Sequence, residues 1–512
     1  MMNEYKYWAT LELEKTQFRR KKKQLESRAS MEDFGASLEE LRKTFRSGKT
    51  REESWRRSQL KALLRLVQEK EDEISMALKQ DLGKHHVEAY RDEIGPLVKS
   101  IEFAMAGLKG WMSGKKAKLP FAAFPAKAEI IPEPLGLVLV FSAWNLPIGL
   151  ALEPIIGAIA AGCVAVLKPS EQAPACSSVI AKSISAYLDP KAFKVIEGGS
   201  LVSERLLEHK WDKIFFTGSA AVGRLIMTAA AKHLTPVTLE LGGKCPAIVD
   251  SLSSSWDKDI ALKRILAGKF GTCSGQACIV IDYILVERKF SSELVQLLKK
   301  YIQAVFGDNP KQTHSVARIV SKKHFTRLKS FLDEPKVKAS LVYGGLMDED
   351  NLFIEPTLLV DPPLNAAVMT EEIFGPILPI ITLEKIEDSI DFINFRPKPL
   401  TIYAFTHNET LKNKIVSQTS SGSLVFNDTI VQYAADTLPF GGVGESGFGR
   451  YHGKFSFDTF SHEKVIARRS YLIDFWFRYP PWDFKKLQLL KAGYRFDYVS
   501  IVLMFLGLKR TY

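Results

Sequence analysis

From Leu135 onward, apolar runs of strand length alternate with helical stretches of about ten to fifteen residues. The run LGLVLVFS precedes the small-residue helix LALEPIIGAIAAG, and CVAVLKPS, AFKVIEGG and DKIFFTGS follow. A helix is predicted from Ala220 to Lys232, and the runs TPVTLELGG and CPAIVD come after it. Continuous apolar strands separated by helices are typical of a parallel sheet that is covered on both faces. The pattern therefore predicts an α/β fold.

A second alternating set begins near Ile279 with IVIDYILVE, and it continues through a helix from Ser291 to Phe306 to TIYAFT and SGSLVFND. This set predicts a second α/β domain. Ahead of both sets, apolar residues spaced by three and four between Leu38 and Leu82 predict helices with one buried face. A chain of 512 residues is long enough for two or three domains with sizeable cores.

Four residues fall just beyond predicted strand ends, namely Asn145, Lys168, Gly218 and Glu240. Ligands of open parallel sheets bind at the carboxyl ends of the strands. The sequence therefore predicts that these residues share the ligand-binding edge of the sheet.

The segment SGQAC places Cys278 on a small, polar turn that bears a glycine, where a thiol can act as a nucleophile. A lone cysteine is more often a small buried hydrophobic residue. Glu240, however, stands thirty-eight residues upstream, ahead of the glycine pair in TLELGGK. The stretch thus contains a candidate nucleophile and a candidate base.

The charge distribution argues against a nucleic-acid binder. The net charge is +12, but residues 465–512 hold nine Lys and Arg against three Asp, which is half of the excess. The five cysteines are odd in number, show no paired spacing and follow no secretory leader, so a reducing compartment is expected. The nine histidines and the cysteines show no HExxH or CxxC arrangement, so no metal is predicted.

Several motifs occur in series: AWN, KPSE, FTGS, LELGGK, GQxC and EEIFGP, followed by LPFGGVGESGFGRYHG. From about Leu38 to Val465, the chain resembles the aldehyde dehydrogenases, and in particular their class-three branch. The resemblance implies a Rossmann-like, parallel-sheet NAD-binding domain, a second α/β catalytic domain and a small β oligomerisation arm. It also implies oxidation of aldehydes to carboxylates, with a role in aldehyde detoxification and the stress response.

By this resemblance, Cys278 attacks the aldehyde carbonyl to form a thiohemiacetal, which becomes a thioester after hydride transfer to the nicotinamide. The side-chain amide of Asn145 is expected to stabilise the oxyanion, and Glu240 is expected to activate the water that hydrolyses the thioester. In isolation, Asn145 could form an Asx turn before Pro147. Glu240 could equally be a solvated loop acid or a helix-capping acid.

The expected cofactor is NAD, with NADP as an alternative. FTGSAAVG departs from GxGxxG, but Gly218 and Ser219 precede a helix whose free N–H groups can bind a pyrophosphate, and Gly223 permits close packing. In the family pattern, Lys168 and Glu171 hold the adenosine ribose. Glu171 would repel a 2′-phosphate, whereas Lys168 would attract it.

The family pattern of EEIFGP implies that Glu372 holds the nicotinamide ribose and that Phe374 packs against the nicotinamide region. Taken alone, Glu371 and Glu372 read as a solvated pair before a turn. The glycine-rich run from Gly441 to Gly453 is interpreted as a structural loop near the substrate entrance.

The predicted organisation has five parts. They are a basic N-terminal extension (1–35), an NAD-binding domain (36–118 and 135–241), a catalytic domain (242–430), an oligomerisation arm with the glycine-rich loop (119–134 and 431–467), and a basic, aromatic, apolar tail (468–512). The family forms dimers through exchanged strands, and AKAEIIPEP and FDTFSHEKVIA are the candidates here. A homodimer is therefore expected.

Both ends of the chain carry basic residues. The cluster RRKKK at 19–23 lies among acidic residues, which disfavours an import signal and favours a solvated helical extension. In the tail, the longest uncharged stretch, Tyr498–Leu508, is far shorter than the roughly 20 residues that span a bilayer. The tail is expected either to lie on a membrane surface or to pack on the dimer partner or the substrate entrance. The expected location is cytoplasmic, with membrane association through the tail.

Two questions stay open in the sequence. The family usually has Asn where this chain has Cys273, which could pack as a small residue or form a protective disulfide with Cys278. The aldehyde itself is not specified, although a broad range of apolar medium-chain, long-chain or aromatic aldehydes is expected. Two other classes of function are possible for such a chain, namely a membrane-associated scaffold and a thioester-forming acyltransferase. Only an oxidoreductase explains both the thiol and the cofactor motifs.

Overall fold

The computed structural model describes residues 34–120, 123–313 and 315–508, so the basic cluster at 19–23 lies outside the described residues. The strands are β1 (Lys115–Ala117), β2 (Lys127–Pro134), β3 (Leu137–Phe141), β4 (Val164–Lys168), β5 (Phe193–Val195), β6 (Lys213–Gly218), β7 (Val237–Leu241), β8 (Pro246–Val249), β9 (Tyr283–Glu287), β10 (Leu341–Tyr343), β11 (Met347–Asp348), β12 (Phe353–Ile354), β13 (Thr357–Val360), β14 (Ile377–Leu383), β15 (Thr401–Phe405), β16 (Ser423–Phe426), β17 (Gly447–Phe448) and β18 (Ser461–Arg468).

Helices precede the first strand, alternate with the strands of the two large sheets and follow the last strand. They span Phe34–Arg46, Glu53–Glu69, Glu71–Leu82, His86–Ala89, Gly95–Met112, Gly149–Ala161, Pro174–Tyr187, Ser200–Glu208, Ala220–Ala231, Ser255–Phe270, Arg288–Phe306, Lys322–Asp333, Pro335–Lys338, Ala367–Thr370, Asp388–Asn394, Glu409–Gln418, Gly453–Thr459, Phe484–Tyr494 and Tyr498–Phe505.

The first sheet has the order β17-β7-β6-β3-β4-β5 and is parallel except for β17. All five residues of β3 and all five of β4 are buried, as their continuous apolar runs predict. The helix Gly149–Ala161 is buried along its whole length because its residues, apart from Glu153, are small or apolar. It packs closely on Gly453–Thr459, since a Cβ added to Gly157 would lie 2.6 Å from Ser456 Cβ.

The second sheet has the order β10-β13-β14-β9-β8-β15-β16 and is parallel except for β10. Its two faces carry separate hydrophobic cores, and β8 contributes to both because side chains alternate along a strand. Ile248 belongs to one core, and Ala247 and Val249 belong to the other. The predicted α/β fold is confirmed.

Two boundaries in the second sheet differ from the prediction. The strand predicted from Ile279 begins at Tyr283, because the Ile281 amide bonds to the carbonyl of Gly268 instead of joining a ladder. The helix predicted from Ser291 begins at Arg288. Ser291 is buried within that helix, and its hydroxyl lies 3.1 Å from that of Thr382.

The chain divides into two compact units. One contains both parallel sheets and comprises the chain up to Leu108 together with Leu135–Phe460. The other comprises Lys109–Pro134 and Ser461–Tyr512.

The second unit contains the antiparallel sheet β1-β2-β18, in which Ile130 pairs with Val465. The helices Phe484–Tyr494 and Tyr498–Phe505 share a small core around Leu489 and Ile501. Within the described ranges, no helix is both long and apolar enough to cross a membrane.

Candidate active site

Glu240 lies near the carboxyl end of β7 with its side chain in the protein interior. It is 3% exposed, and neither carboxyl oxygen has a hydrogen-bond partner among the described residues. Burial raises the pKa of this carboxyl well above its ordinary value, because the charged form loses its hydration. A solvated loop acid or a capping acid does not match this environment.

The loop that carries the thiol has an unusual backbone. Cys273, Ser274 and Gly275 have consecutive left-handed φ angles of 46°, 50° and 81°. Such a turn is costly for residues other than glycine. The buried side chain of Gln276 supports it by donating to the carbonyl oxygens of Cys273 and Arg318, both at 2.9 Å.

Cys278 follows this turn and is half-buried. Burial, with contributions from Glu372 and Glu240, raises the pKa of its thiol to about 12, and the backbone N–H groups of Cys278 and Ile279 oppose this effect. In this state the residue is a thiol and not a thiolate. The loop lies against the residue that precedes β8, because the Cys245 thiol donates to the Cys278 carbonyl at 3.3 Å.

Cys278 and Glu240 line the same cavity of about 340 Å³. That volume is at the lower end of the range for small-molecule sites. Its wall is mainly apolar and includes Leu146, Leu150, Leu241, Ile279, Ile430, Val431, Tyr433, Phe440 and Tyr451. Charged residues also line it, namely Arg91, Asp92, Arg264 and Asp428. The cavity therefore suits a ligand with an apolar body.

Asn145 lies in the loop between β3 and the helix Gly149–Ala161 and is 3% exposed. The next residue, Leu146, lines the cavity. The backbone carbonyl of Asn145 accepts a hydrogen bond from Lys84 at 2.9 Å. Sequence reasoning missed Lys84, because a lysine at a helix end gives no sign that its ammonium is buried.

Lys168 ends β4, and its ammonium lies 2.5 Å from Glu171 Oε2. The Lys168 side chain is 5% exposed and that of Glu171 is 47% exposed, so the carboxylate faces solvent. Gly218 ends β6, and Ser219 caps the helix Ala220–Ala231 by accepting from the Val222 amide at 3.4 Å. A Cβ added to Gly223 would lie 3.0 Å from Leu241 Cδ2, so this helix packs closely on β7.

Glu371 and Glu372 are not an equivalent solvated pair. Glu371 is exposed, whereas Glu372 accepts from the Gly243 amide at 3.2 Å, and an added Cβ on Gly242 would overlap its carboxylate. Burial and the nearby Asp282 raise the pKa of Glu372 to about 8.

Phe374 has a left-handed φ of 53°, and its ring meets that of Trp144 edge-on at 5.3 Å. This contact brings the turn of EEIFGP against the residue that precedes Asn145. In the portion of the chain that is described, no group of three or more His, Cys, Asp or Glu side chains could hold a metal ion.

The fold and the site agree with comparisons to known proteins. The profile described as the aldehyde dehydrogenase family matches residues 21–466. The chain belongs to this family. It is 55% identical over 482 residues to aldehyde dehydrogenase family 3 member F1 of Arabidopsis thaliana, covering 94% of this chain and 100% of that protein.

Solved structures agree with this assignment. A substrate-bound aldehyde dehydrogenase of Staphylococcus aureus has a TM-score of 0.86 at 40% identity, covering 92% of this chain and 100% of that one. A glyceraldehyde-3-phosphate dehydrogenase of Methanocaldococcus jannaschii, complexed with NADP, has a TM-score of 0.75 at 25% identity, covering 85% and 93%. This aldehyde dehydrogenase is thus an NAD(P)-dependent oxidoreductase that oxidises aldehydes to acids.

Proposed function

We propose that this aldehyde dehydrogenase oxidises apolar medium-chain, long-chain or aromatic aldehydes through a covalent intermediate on Cys278, and that it serves aldehyde detoxification. The observation that carries the proposal is the single cavity lined by Cys278 and Glu240, whose wall is mainly apolar. A hydrocarbon chain gains about 25 cal/mol for each Å² of its surface that leaves water. An apolar wall therefore favours such chains over small hydrated aldehydes.

In the proposed first step, Cys278 Sγ releases its proton to solvent water and forms a bond to the carbonyl carbon. The carbonyl π electrons move to the oxygen, which is stabilised by the Asn145 amide and the Cys278 N–H. One such donor lowers the barrier by about 3 kcal/mol. Since burial raises the thiol pKa to about 12, most of the resting enzyme carries the protonated sulfur.

NAD(P)+, when bound, accepts the hydride that leaves the reacting carbon. Lys168 and Glu171 would hold its adenosine ribose, and Gly218 and Ser219 would hold its pyrophosphate. Glu372 would hold the nicotinamide ribose, and Phe374 would lie beside the nicotinamide. Gly223 would allow the helix after Ser219 to pack closely. The residues fit such a group, because Gly218 ends a strand directly before a capped helix and the apolar Val222 of that helix is 43% exposed.

Glu240 is proposed to accept a proton from the water that hydrolyses the thioester. Its carboxyl oxygens have no partner among the described side chains or backbone groups, so they are available to a water molecule in the cavity. A raised pKa makes the carboxylate a stronger base. The water oxygen bonds to the acyl carbon, the carbon–sulfur bond breaks, and the sulfur takes up the proton held by Glu240, which regenerates the Cys278 thiol. The acid product loses its remaining proton to solvent and leaves as a carboxylate.

The proposal is tested with Cys278→Ala and Glu240→Gln, and the buried Cys176→Ser is the matched control. Cys278→Ala should abolish NADH formation. Glu240→Gln should give one burst of NADH with little turnover, and intact-protein mass spectrometry should find an acyl group that is absent from Cys278→Ala. Full steady-state turnover in either active-site variant would contradict the assignment.

We also propose that β18, which forms one edge of the sheet β1-β2-β18, supports a homodimer by pairing with a second copy. Its Val465 side chain is 67% exposed. Light scattering at several protein concentrations tests this arrangement, and a constant monomer mass at micromolar concentration would contradict it.

The second unit further supports a proposal of peripheral membrane contact, in keeping with a cytoplasmic location. Trp476, Tyr479 and Trp482 are 47%, 48% and 65% exposed, and Lys485 and Arg495 are exposed in the same segment. Indole and phenol rings favour the headgroup region, and cations favour anionic lipids. We propose that the segment Trp476 to Arg495 binds an anionic lipid surface.

A further inference from the structure

An ion pair that lies outside the proposed catalytic set is completely buried beside it. The Lys84 ammonium lies 2.6 Å from Glu93 Oε1, and both side chains are 0% exposed. Burial alone would lower the pKa of Lys84, but the Glu93 carboxylate overrides this effect, and the net pKa is raised. The Lys84 ammonium therefore stays charged in the interior. Because desolvation removes most of the gain from such a pair, it contributes little to stability compared with an apolar pair of similar size.

The remaining hydrogen bonds of this pair converge on one short segment. Lys84 donates to the Asn145 carbonyl at 2.9 Å. The second oxygen of Glu93 accepts from the amides of Ile148 at 2.8 Å and Gly149 at 3.1 Å. The segment that begins at Asn145 and ends at the start of helix Gly149–Ala161 is therefore held at both ends by one pair of charges.

The segment that carries the pair also reaches the nucleophile loop. Glu88 lies between Lys84 and Glu93, and its carboxylate accepts from the Cys273 amide at 2.6 Å. Directly after it, Tyr90–Ile94 forms a π-helical turn, a feature that is often found at functional sites. This turn sets the direction from which Glu93 approaches Ile148.

We infer that Lys84 and Glu93 are positioning residues for the oxyanion-stabilising amide of Asn145. An oxyanion donor must lie within about 2.7–3.1 Å of the developing charge, so small shifts of its backbone reduce catalysis. The two anchors fix the backbone at the Asn145 carbonyl and at the helix start that follows it. The inference rests on the proposed role of Asn145, and the test separates the two.

The test is a double-mutant cycle between the pair and Asn145. The variant Lys84→Met/Glu93→Gln removes both charges together, so that no unpaired ion is left in the interior. NADH formation in the first turnover is measured for this variant, for Asn145→Ala, and for the combination of all three substitutions. Alkylation of Cys278 by iodoacetamide, which needs no oxyanion donor, is measured in parallel.

We expect Lys84→Met/Glu93→Gln to slow the first turnover about tenfold with little change in KM. Adding it to Asn145→Ala should change the rate less than about twofold, because the coupled interaction is already lost. The alkylation rate should stay unchanged. As a control for lost stability, Leu60→Ala, at a fully buried helix position, should lower the melting temperature without slowing the first turnover.

Equal slowing of the first turnover in the presence and absence of the Asn145 amide would overturn the inference, as would no slowing at all. An unchanged rate in Asn145→Ala alone would instead contradict the proposed oxyanion role. If the charge-free variant does not fold, Lys84→Arg, which keeps the positive charge beside Glu93 and displaces the donor to the Asn145 carbonyl, enters the same cycle with the same expected coupling.

Discussion

Gly447 lies directly opposite Glu240 in the antiparallel ladder between β17 and β7. The glycine-rich run is thus more than a loop near the substrate entrance, because one of its residues joins the sheet beside the proposed base. Phe440, which precedes the run, and Tyr451, which lies within it, form a backbone bridge and also line the cavity. The glycine-rich run therefore contributes both to the cavity wall and to the pairing of β7, the strand that carries the Glu240 carboxyl group.

Gly447→Ala should reduce kcat strongly. The residue has a left-handed φ of 120°, and an added Cβ would overlap the carbonyl oxygen of Leu239, so β17 must move away from β7. Gly444→Ala is the matched control, because its φ of 65° is also left-handed while the nearest atom to an added Cβ lies 3.6 Å away. Steady-state kinetics compare the two. Equal kcat values in the two variants would contradict a contribution of the β17–β7 ladder to catalysis.

Hydrolysis of the thioester should accelerate as the pH rises. Burial raises the pKa of Glu240, so its carboxyl is protonated and inactive as a base below that pKa and becomes a carboxylate above it. Stopped-flow and quench measurements of acyl-enzyme decay from about pH 6 to about pH 9 follow this change. Glu240→Gln should remove the rise, and a decay rate that falls with pH would contradict the sign.

Glu171→Gln should increase the use of NADP relative to NAD. The wild-type carboxylate faces solvent beside Lys168 and repels a 2′-phosphate, and the amide leaves the lysine free to attract it. The ratio of kcat/KM for the two cofactors should shift about tenfold. The exposed Glu102→Gln controls for net charge. A wild-type preference for NADP would contradict the predicted role of Glu171.

Val431→Phe should discriminate against long aldehydes. Val431 lines the cavity and is 48% exposed, so a larger ring narrows the space for a hydrocarbon chain. KM should rise about tenfold for a long-chain aldehyde and little for a short one. Val416→Phe, at a site that is 59% exposed and away from the cavity wall, should leave both values unchanged. An equal rise in KM for the long and the short aldehyde would contradict the proposal that the hydrocarbon chain lies beside Val431.

Trp476→Ala/Trp482→Ala should weaken binding to vesicles that contain phosphatidylserine. Removal of two exposed indoles takes away their anchoring at the headgroup region. Co-sedimentation with these vesicles is compared with co-sedimentation with vesicles of phosphatidylcholine alone. The control is Trp256→Ala, because Trp256 is 71% exposed and lies in the other unit. If the wild-type protein does not bind either vesicle, the lipid proposal is wrong.

The apolar runs predicted much of the fold because they are local signals. The runs around Leu137 and Val164 became fully buried strands, as their composition requires. The strand predicted directly after Cys278 was wrong in its start, because apolar residues also fill buried turns. The hydrogen bond from the Ile281 amide to the Gly268 carbonyl holds this part of the backbone in a turn. Periodicity alone does not distinguish these two cases.

The motif residues of the site could be found from the sequence, but their supports could not. Lys84 and Glu93 contact a loop more than fifty residues away, and nothing near them in the chain marks them as buried. The left-handed φ of 46° at Cys273 accounts for the Asn that is usual at this position, because Asn tolerates this conformation better than Cys. Burial of Cys273 raises the pKa of its thiol to about 12, which disfavours the disulfide chemistry considered for it.

The chain leaves the first sheet at Leu241 and enters the second at Pro246, so Glu240 and Cys278 belong to different structural halves that are joined by residues 242–245. Anyone who recombines this enzyme with a homologue at that junction will inherit the base from one parent and the nucleophile from the other. Such chimaeras would take the proposed residues for the adenosine ribose and the pyrophosphate from one parent, and Glu372 and Phe374, proposed for the nicotinamide side, from the other. They will work only if the recipient's Gly447 and the donor's β7 still pair.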